Sequence, residues 1–151
     1  MKLRRVVFAL VLGGLPAASP VAAADGEQQA CLARAVYFEA LAEGRAGMEA
    51  VAAVVLNRIA HPEFPDTVCE VVQDGGETPP CQFSWWCDGK SDQPEDAEGY
   101  TLAREVADAA LTAPPPDPTA GALFFHRTDV EPGFEIPREP TVTIGDHVFY
   151  R

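Results

Sequence analysis

Basic side chains are scarce in this sequence. Lysine and arginine together number 11, against 23 aspartate and glutamate residues, which gives a formal charge of −12. So acidic a chain repels polyanions, and this argues against nucleic acid as a partner and against adsorption to anionic lipid. No internal repeat or low-complexity segment is evident either, so a single modest domain is expected.

Long apolar runs are also missing, and no stretch reaches the roughly 20 residues that a membrane-spanning helix needs. Near the N terminus, basic residues precede a short apolar run from Val6 to Leu15, and small residues then lead to Ala24. This pattern is typical of a secretory signal peptide. We therefore expect residues 1–24 to be cleaved. Residues 25–151 would then form one domain in the periplasm or outside the cell, with no stable membrane insertion.

The four cysteines contain no Cys-x-x-Cys pair, which argues against a zinc site. An even number in an exported chain instead favours disulfides. Cys81 and Cys87 bracket the short loop CQFSWWC, and pairing them leaves Cys31 for Cys69. Four cysteines allow three connectivities, and spacing alone does not choose among them.

Helical patterning dominates the chain, and the C-terminal third has the patterning of strands. Helices are predicted over residues 28–41, 48–60, 66–72 and 96–112, with EGRAG at 43–47 separating the first two. A strand is predicted over 121–126, followed by a terminal hairpin that turns at Gly145-Asp146. The predicted fold class is therefore α+β, helix-dominated, with a small antiparallel sheet from the C-terminal third.

Glu39 is the residue that physical reasoning singles out. It shares one helical face with Leu32 and Val36, where a carboxylate is out of place. Burial would raise its pKa, and a second carboxylate one turn on, Glu43, would act in the same direction. Such an acid could stay protonated near neutral pH and donate to a leaving group. The alternative is a surface glutamate at the edge of the apolar stripe.

The loop CQFSWWCDG combines amide, hydroxyl and indole groups, which carbohydrate sites use to bind sugar hydroxyls and stack on sugar rings. Alternation along the loop would send Trp85 and Trp86 in different directions, so one of them is expected in the core. A metal site is not predicted. His126 and His147 could complete a triad with Glu39, but no His-Glu-x-x-His or comparable spacing occurs. For His126 a structural or substrate-contacting hydrogen bond is favoured.

Six segments in order resemble the SleB/CwlJ family of cell wall hydrolases, over about residues 31–151. They are LARAVYFEA, VAAVVLNRI, FPDTVCEVV, CQFSWWCDG, DPTAGALFFH and IGDHVFYR. The resemblance implies a lysozyme-like helical lobe and an enzyme that acts on bacterial peptidoglycan or spore cortex. It also implies that the family's catalytic glutamate, which lies in the YFEA motif, is Glu39. The sequence departs from the family pattern at Leu41, where arginine is more usual, and in the cysteine-bracketed loop.

The resemblance, together with the polar and indole groups of the loop, implies substrate contacts on the loop and on the strand before the hairpin. They are Gln82, Phe83, Ser84, Trp85, Phe125 and His126. The resemblance implies lytic transglycosylation between N-acetylmuramic acid and N-acetylglucosamine, which needs one carboxyl group and no cofactor. Ordinary hydrolysis would need a second carboxylate, for which Asp88 and Asp92 are available.

Two other functions stay open at this point. One is an N-acetylmuramoyl-L-alanine amidase, which would require a metal or another nucleophile. The other is a non-catalytic peptidoglycan-binding module that uses the tryptophan loop. In every case the expected partner is the peptidoglycan glycan strand, and a regulatory protein partner is not identifiable from the sequence.

Overall fold

The computed structural model describes residues 20–131 and 138–151, with side chains described from residue 25 onward. Most of the predicted signal peptide, residues 1–19, lies outside the described residues. Within the described ranges, no helix is both long and apolar enough to cross a membrane.

Four α-helices, two short 3-10 segments and three strands make up the described fold. In chain order they are α1 (Pro20–Ala40), a 3-10 turn (Leu41–Glu43), α2 (Gly44–Ile59), α3 (Val68–Val72), a second 3-10 segment (Ser84–Cys87), α4 (Ala97–Thr112), β1 (Phe124–Arg127), β2 (Pro140–Ile144) and β3 (His147–Tyr150). The prediction of a helix-dominated α+β fold with a small antiparallel sheet is confirmed.

The first two helices are longer than the sequence pattern predicted. α1 begins at Pro20 instead of residue 28, because proline is favoured in the first turn and the alanines that follow are strong helix formers. It therefore runs across the predicted cleavage point. The expected break at residues 43–47 shrinks to one 3-10 turn, and α2 begins at Gly44, whose φ of +62° is a conformation that favours glycine.

The later helices begin at side-chain caps. The Thr67 hydroxyl accepts a hydrogen bond from the backbone N–H of Glu70, and so α3 begins after Thr67 instead of at residue 66. The Asp96 carboxylate accepts from the N–H groups of Glu98 and Gly99 at 3.0 Å and starts α4 where the sequence predicted. The backbone N–H of Asp96 also donates to the Tyr37 hydroxyl at 2.9 Å, which ties the start of α4 to the last turn of α1.

The main core forms where α1 packs against the other three helices. Its largest fully buried side chains are Leu32, Val36, Met48, Val51, Val55, Val71, Val72, Phe83 and Val106. In α4 the buried face includes Ala103, Val106, Ala107 and Ala110, whereas Ala109 is exposed. The core therefore places the last turn of α1 beside the loop that contains Phe83.

The sheet has the strand order β1-β3-β2, and both pairs are antiparallel. The predicted hairpin turn is confirmed: it joins β2 to β3 at Gly145 and Asp146, and Gly145 has a φ of +57°. Phe149 is fully buried with Ala50 and Val54 of α2, and the half-buried Phe125 packs against the same group. The sheet thus covers the start and middle of α2.

Two disulfides fasten the fold. Of the three possible pairings, the structure has Cys31 bonded to Cys69 and Cys81 bonded to Cys87. The first crosses from α1 to α3 and closes a separation of 38 residues, which restricts the unfolded chain much more than a short loop does. The second spans 6 residues and fixes the tryptophan loop.

Candidate active site

Glu39 lies in the last turn of α1 and is half-buried, one turn beyond the fully buried Val36. Among the described residues, no hydrogen bond reaches its carboxyl group. Burial raises the pKa of Glu39 to about 7, and the positive charge of Arg58 partly opposes that rise. The predicted elevation by burial is therefore confirmed, whereas Glu43 is not among its causes.

The raised pKa of Glu39 predicts an unusual dependence of stability on pH. Because the folded carboxyl holds its proton up to about pH 7 while the unfolded one releases it near 4.5, the folded state binds more protons between these values. Stability then falls as pH rises through this window, by at most about 3 kcal/mol.

Glu39→Gln removes this cost, so the variant should be more stable than wild type at pH 8 and about equal at pH 4. Urea unfolding at both pH values measures this, and an equal difference at pH 4 and 8 would contradict it.

Arg58 is the functional candidate that sequence reasoning missed. It lies near the end of α2 and is only 4% exposed. Its Nε donates to the backbone carbonyl of Leu123 at 2.8 Å, and its guanidinium carbon lies 5.2 to 5.8 Å from the ring centres of Phe64, Phe83 and Phe124. Its Nη1 has no hydrogen-bond partner in the described residues. A charged residue inside the apolar run VAAVVLNRI was the available signal.

Burial lowers the pKa of Arg58 to about 10, while the carboxylates of Asp74 and Glu39 act in the opposite direction. Arg58 therefore remains a cation at neutral pH. The positive charge of Arg58 favours the carboxylate form of Glu39 over its carboxylic acid form. Two effects on the pKa of Glu39 therefore oppose each other: desolvation raises it, and the positive charge of Arg58 lowers it.

The disulfide-closed loop splits into buried and exposed side chains. Phe83 is 1% exposed and Trp85 is 9% exposed, and the Trp85 ring stacks on Phe38 with ring centres 4.8 Å apart. Gln82 and Ser84, which alternate with them, are exposed. As folded, the loop therefore offers amide and hydroxyl groups to solvent, while its aromatic rings at Phe83 and Trp85 pack beside the helix that carries Glu39.

The two candidate residues of β1 lie in different environments, as neighbouring side chains of a strand do. Phe125 packs between Phe83 at 6.4 Å and His147 at 5.2 Å, measured between ring centres. The His126 ring contacts the Tyr150 hydroxyl through Nε2 at 2.8 Å and the Arg127 carbonyl through Nδ1 at 2.7 Å. Phe125 therefore packs with Phe83 and His147, and the His126 ring stacks on Tyr150.

Glu43 and His147 form a buried pair between the 3-10 turn and β3. The Glu43 Oε1 lies 2.7 Å from the His147 Nδ1, and the two side chains are 9% and 4% exposed. The contact is not aligned as a hydrogen bond, and Oε2 of Glu43 has no hydrogen-bond partner in the described residues. Gly145 makes room for this carboxylate, because a Cβ there would lie 2.8 Å from Oε2. Glu43 is thus enclosed and poorly placed to activate a water molecule.

Asp88 and Asn57 have hydrogen-bond partners of their own. Asp88 accepts from the backbone N–H of Lys90 at 2.8 Å within its own turn. Across residues 20–131 and 138–151, no three histidine, cysteine, aspartate or glutamate side chains are grouped as metal ligands would be. The Asn57 side-chain amide donates to the Asp117 carboxylate and to the Ala122 carbonyl, both at 3.0 Å, and neither bond involves Glu39.

A helix-rich domain that combines a carboxyl group of raised pKa, a buried cation that acts on it and a loop with exposed polar groups has the features expected of a general-acid enzyme. Comparison with known sequences is specific. The profile of the Cell Wall Hydrolase family matches residues 42–150, and this chain belongs to that family. The match begins three residues after Glu39.

Individual relatives agree with the family assignment. The chain is 35% identical over 131 residues to the spore cortex-lytic enzyme of Halalkalibacterium halodurans, covering 86% of this chain and 36% of that one. It is 33% identical over 139 residues to the spore cortex-lytic enzyme of Oceanobacillus iheyensis, covering 91% of this chain and 46% of the relative. The chain therefore spans less than half the length of these two relatives.

Among solved structures, the catalytic domain of the germination-specific lytic transglycosylase SleB from Bacillus anthracis superposes with a TM-score of 0.61 at 29% identity. The alignment covers 82% of this chain and 93% of that domain. The catalytic domain of the Bacillus cereus SleB protein gives a TM-score of 0.58 at 25% identity. The resemblance to the SleB/CwlJ family predicted from the sequence is confirmed.

Proposed function

We propose that this protein cleaves the glycan strand of peptidoglycan between N-acetylmuramic acid and N-acetylglucosamine by lytic transglycosylation, with Glu39 as its only catalytic carboxyl group. The observation that carries the proposal is the state of Glu39: half-buried, without a hydrogen-bond partner in the described residues, and with a pKa of about 7. About half of such carboxyl groups hold a proton at neutral pH, which is what a general acid requires. The likeness to the SleB catalytic domain supports the same reaction.

The reaction needs no second carboxylate. Glu39 donates its proton to the glycosidic oxygen as the bond from that oxygen to C1 of the muramic acid breaks, which leaves positive charge at C1. The 6-hydroxyl of the same sugar attacks C1 and gives its proton to the Glu39 carboxylate. The products are a free N-acetylglucosamine hydroxyl and a 1,6-anhydro ring, and Glu39 recovers its starting state. The enclosure of Glu43 by His147 and Gly145 fits a one-carboxylate mechanism.

Substrate contacts are proposed on the loop and on β1. The exposed Gln82 and Ser84 would bind sugar hydroxyls. The buried Phe83 and Trp85 would contribute indirectly, by holding the loop against α1. Phe125 packs against Phe83 and would support the loop in the same way. The contact of the His126 ring with the Tyr150 hydroxyl fixes the position from which His126 would reach the substrate. Gln82→Ala should therefore raise KM more than it lowers kcat, because its contact is made equally to substrate and transition state.

The proposed function also requires that the protein be exported from the cytoplasm. Peptidoglycan lies outside the cytoplasm, and the sequence of residues 1–24 supports secretion into the periplasm or beyond, followed by cleavage. The two disulfides are consistent with an oxidising compartment. The catalytic domain would then be residues 25–151.

The amidase alternative differs from glycan cleavage in the bond that is broken: an amidase cleaves the amide bond between N-acetylmuramic acid and L-alanine. We would digest purified sacculi with and without a chelator and label newly exposed amino groups of L-alanine. Glycan cleavage should solubilise the wall without exposing these amino groups, and the chelator should have no effect, because no metal takes part. New L-alanine amino groups that disappear with the chelator would establish an amidase and overturn the proposal.

A further inference from the structure

The last turn of α1, which contains Glu39, is fastened on two sides. On the side of α4, the Tyr37 hydroxyl accepts a hydrogen bond from the backbone N–H of Asp96 at 2.9 Å. On the side of the sheet, the 3-10 turn that continues α1 carries Glu43, whose Oε1 lies 2.7 Å from Nδ1 of His147 in β3. Because Glu43 follows Glu39 so closely along the chain, this contact ties the end of the acid's own helix to the sheet.

Two glycines leave space for the Glu43 carboxylate. A Cβ at Gly47 of α2 would lie 2.7 Å from Oε2, and one at Gly145 of the hairpin turn would lie 2.8 Å from the same atom. Glu43 and His147 are 9% and 4% exposed, and their burial carries a desolvation cost that two apolar side chains would avoid. A buried pair for which two separate elements leave space points to a role in positioning.

His147 also contacts the aromatic side chains that support the loop proposed to bind sugar hydroxyls. Its ring meets that of Phe125 edge to face, with ring centres 5.2 Å apart. The Phe125 ring centre lies 6.4 Å from that of Phe83, which is buried between the exposed Gln82 and Ser84. His147 therefore touches one group that is joined to the acid's helix and another that packs against the loop.

We propose that His147 is a positioning residue of the glycosidic reaction: it fixes the distance between Glu39 and the loop that binds the sugar. This inference rests on the proposed roles of Glu39 and of the loop. The contact with Glu43 holds the acid, and the contact with Phe125 holds the loop. The proton passes from Glu39 to a glycosidic oxygen whose place the loop determines, and a misplacement of about 1 Å in such a geometry lowers the rate by about 100-fold.

Two substitutions separate the two contacts. Glu43→Leu removes the pair without leaving a buried carboxylate, and it should lower kcat by about 10- to 100-fold with little change in KM, because the acid is displaced while the loop is not. His147→Asn keeps an amide near the position of Nδ1, so the contact with Glu43 remains while the ring against Phe125 is lost. This variant should raise KM by about three- to tenfold and leave kcat within about threefold of wild type.

Two further variants distinguish positioning from stability alone. Glu43→Gln keeps the contact with His147 through a neutral amide, so it should retain kcat within about threefold of wild type. Val71→Ala removes buried apolar volume from α3, an element that is bonded to α1 at Cys31, about two turns before Glu39. It should lose stability but keep the wild-type kcat and KM.

The values of kcat and KM are measured on soluble glycan oligomers, at a temperature at which circular dichroism shows each variant to be folded. A loss of kcat in Glu43→Leu no larger than that in Val71→Ala, or an unchanged KM in His147→Asn, would overturn the inference. It would also be overturned by a Glu43→Gln variant as inactive as Glu39→Gln, since the Glu43 carboxylate would then take part in the chemistry itself. If Glu43→Leu does not fold, His147→Asn and Glu43→Gln decide. An active Glu39→Gln enzyme would instead overturn the catalytic assignment, whatever these variants show.

Discussion

Glu39→Gln is expected to reduce glycan cleavage by about 10²- to 10⁴-fold, the usual contribution of a general acid. Glutamine preserves the size of the side chain but has no acidic proton to give to the leaving oxygen. The Michaelis constant should change little, since the amide can still occupy the same space beside Val36. The measurement is the rate of release of soluble fragments from dye-labelled sacculi, with kcat and KM determined on glycan oligomers.

A matched control is Glu63→Gln. Glu63 is an exposed glutamate after α2 that faces His61 at 4.0 Å, and it has no place in the proposed reaction. Its variant should cleave at the wild-type rate. Because Glu39→Gln should also be more stable than wild type above pH 7, a loss of activity in that variant would not reflect unfolding. Activity within threefold of wild type would remove Glu39 from catalysis.

Breaking the buried pair between Glu43 and His147 should produce the largest loss of stability. His147→Leu leaves the Glu43 carboxylate enclosed, with no other partner among the described residues. Removal of one member of such a pair costs about 3–5 kcal/mol. Glu43→Gln should cost less, about 1–2 kcal/mol, because the neutral amide leaves no enclosed carboxylate without a partner. Chemical denaturation at pH 7 measures both variants.

An exposed pair at the same distance is the control. Arg45 and Glu105 also approach to 2.7 Å, but their side chains are 49% and 60% exposed. Arg45→Met should cost less than about 1 kcal/mol. In the double variant His147→Leu/Glu43→Leu, the loss should be smaller than the sum of the single losses, since no charge is left unpaired. Equal losses at the buried and exposed pairs, or additive single losses, would contradict this account.

Much of the fold follows from local signals in the sequence. α4 begins where an aspartate can cap it, and the hairpin turns at a glycine whose left-handed conformation the sequence pattern implied. The ends of α1 and α2 were less predictable. EGRAG contains two glycines, which normally weaken a helix, but Gly47 lies inside α2, where a side chain would collide with Glu43 four residues earlier. The close approach of Glu43 therefore requires glycine at this position, although the helix propensity of glycine is low.

The site was predictable only in part. Glu39 could be found because a carboxylate in an apolar stripe conflicts with its surroundings, and that conflict is visible along one helix. Arg58 was missed because most of its partners, Leu123 and the rings of Phe83 and Phe124, lie far away in sequence. The loop residues were identified as a group, but which rings face inward depends on the 3-10 segment from Ser84 to Cys87, which spacing does not reveal.

The central claim is tested most directly by the chemical identity of the sugar ends released from purified sacculi. Mass spectrometry of the digest with the wild-type protein should show 1,6-anhydro-N-acetylmuramic acid ends, and the same digest with Glu39→Gln should show almost none. Reducing N-acetylmuramic acid ends from the wild-type protein would instead mean that water, and not the 6-hydroxyl, attacks the sugar. That result would contradict the one-carboxylate mechanism.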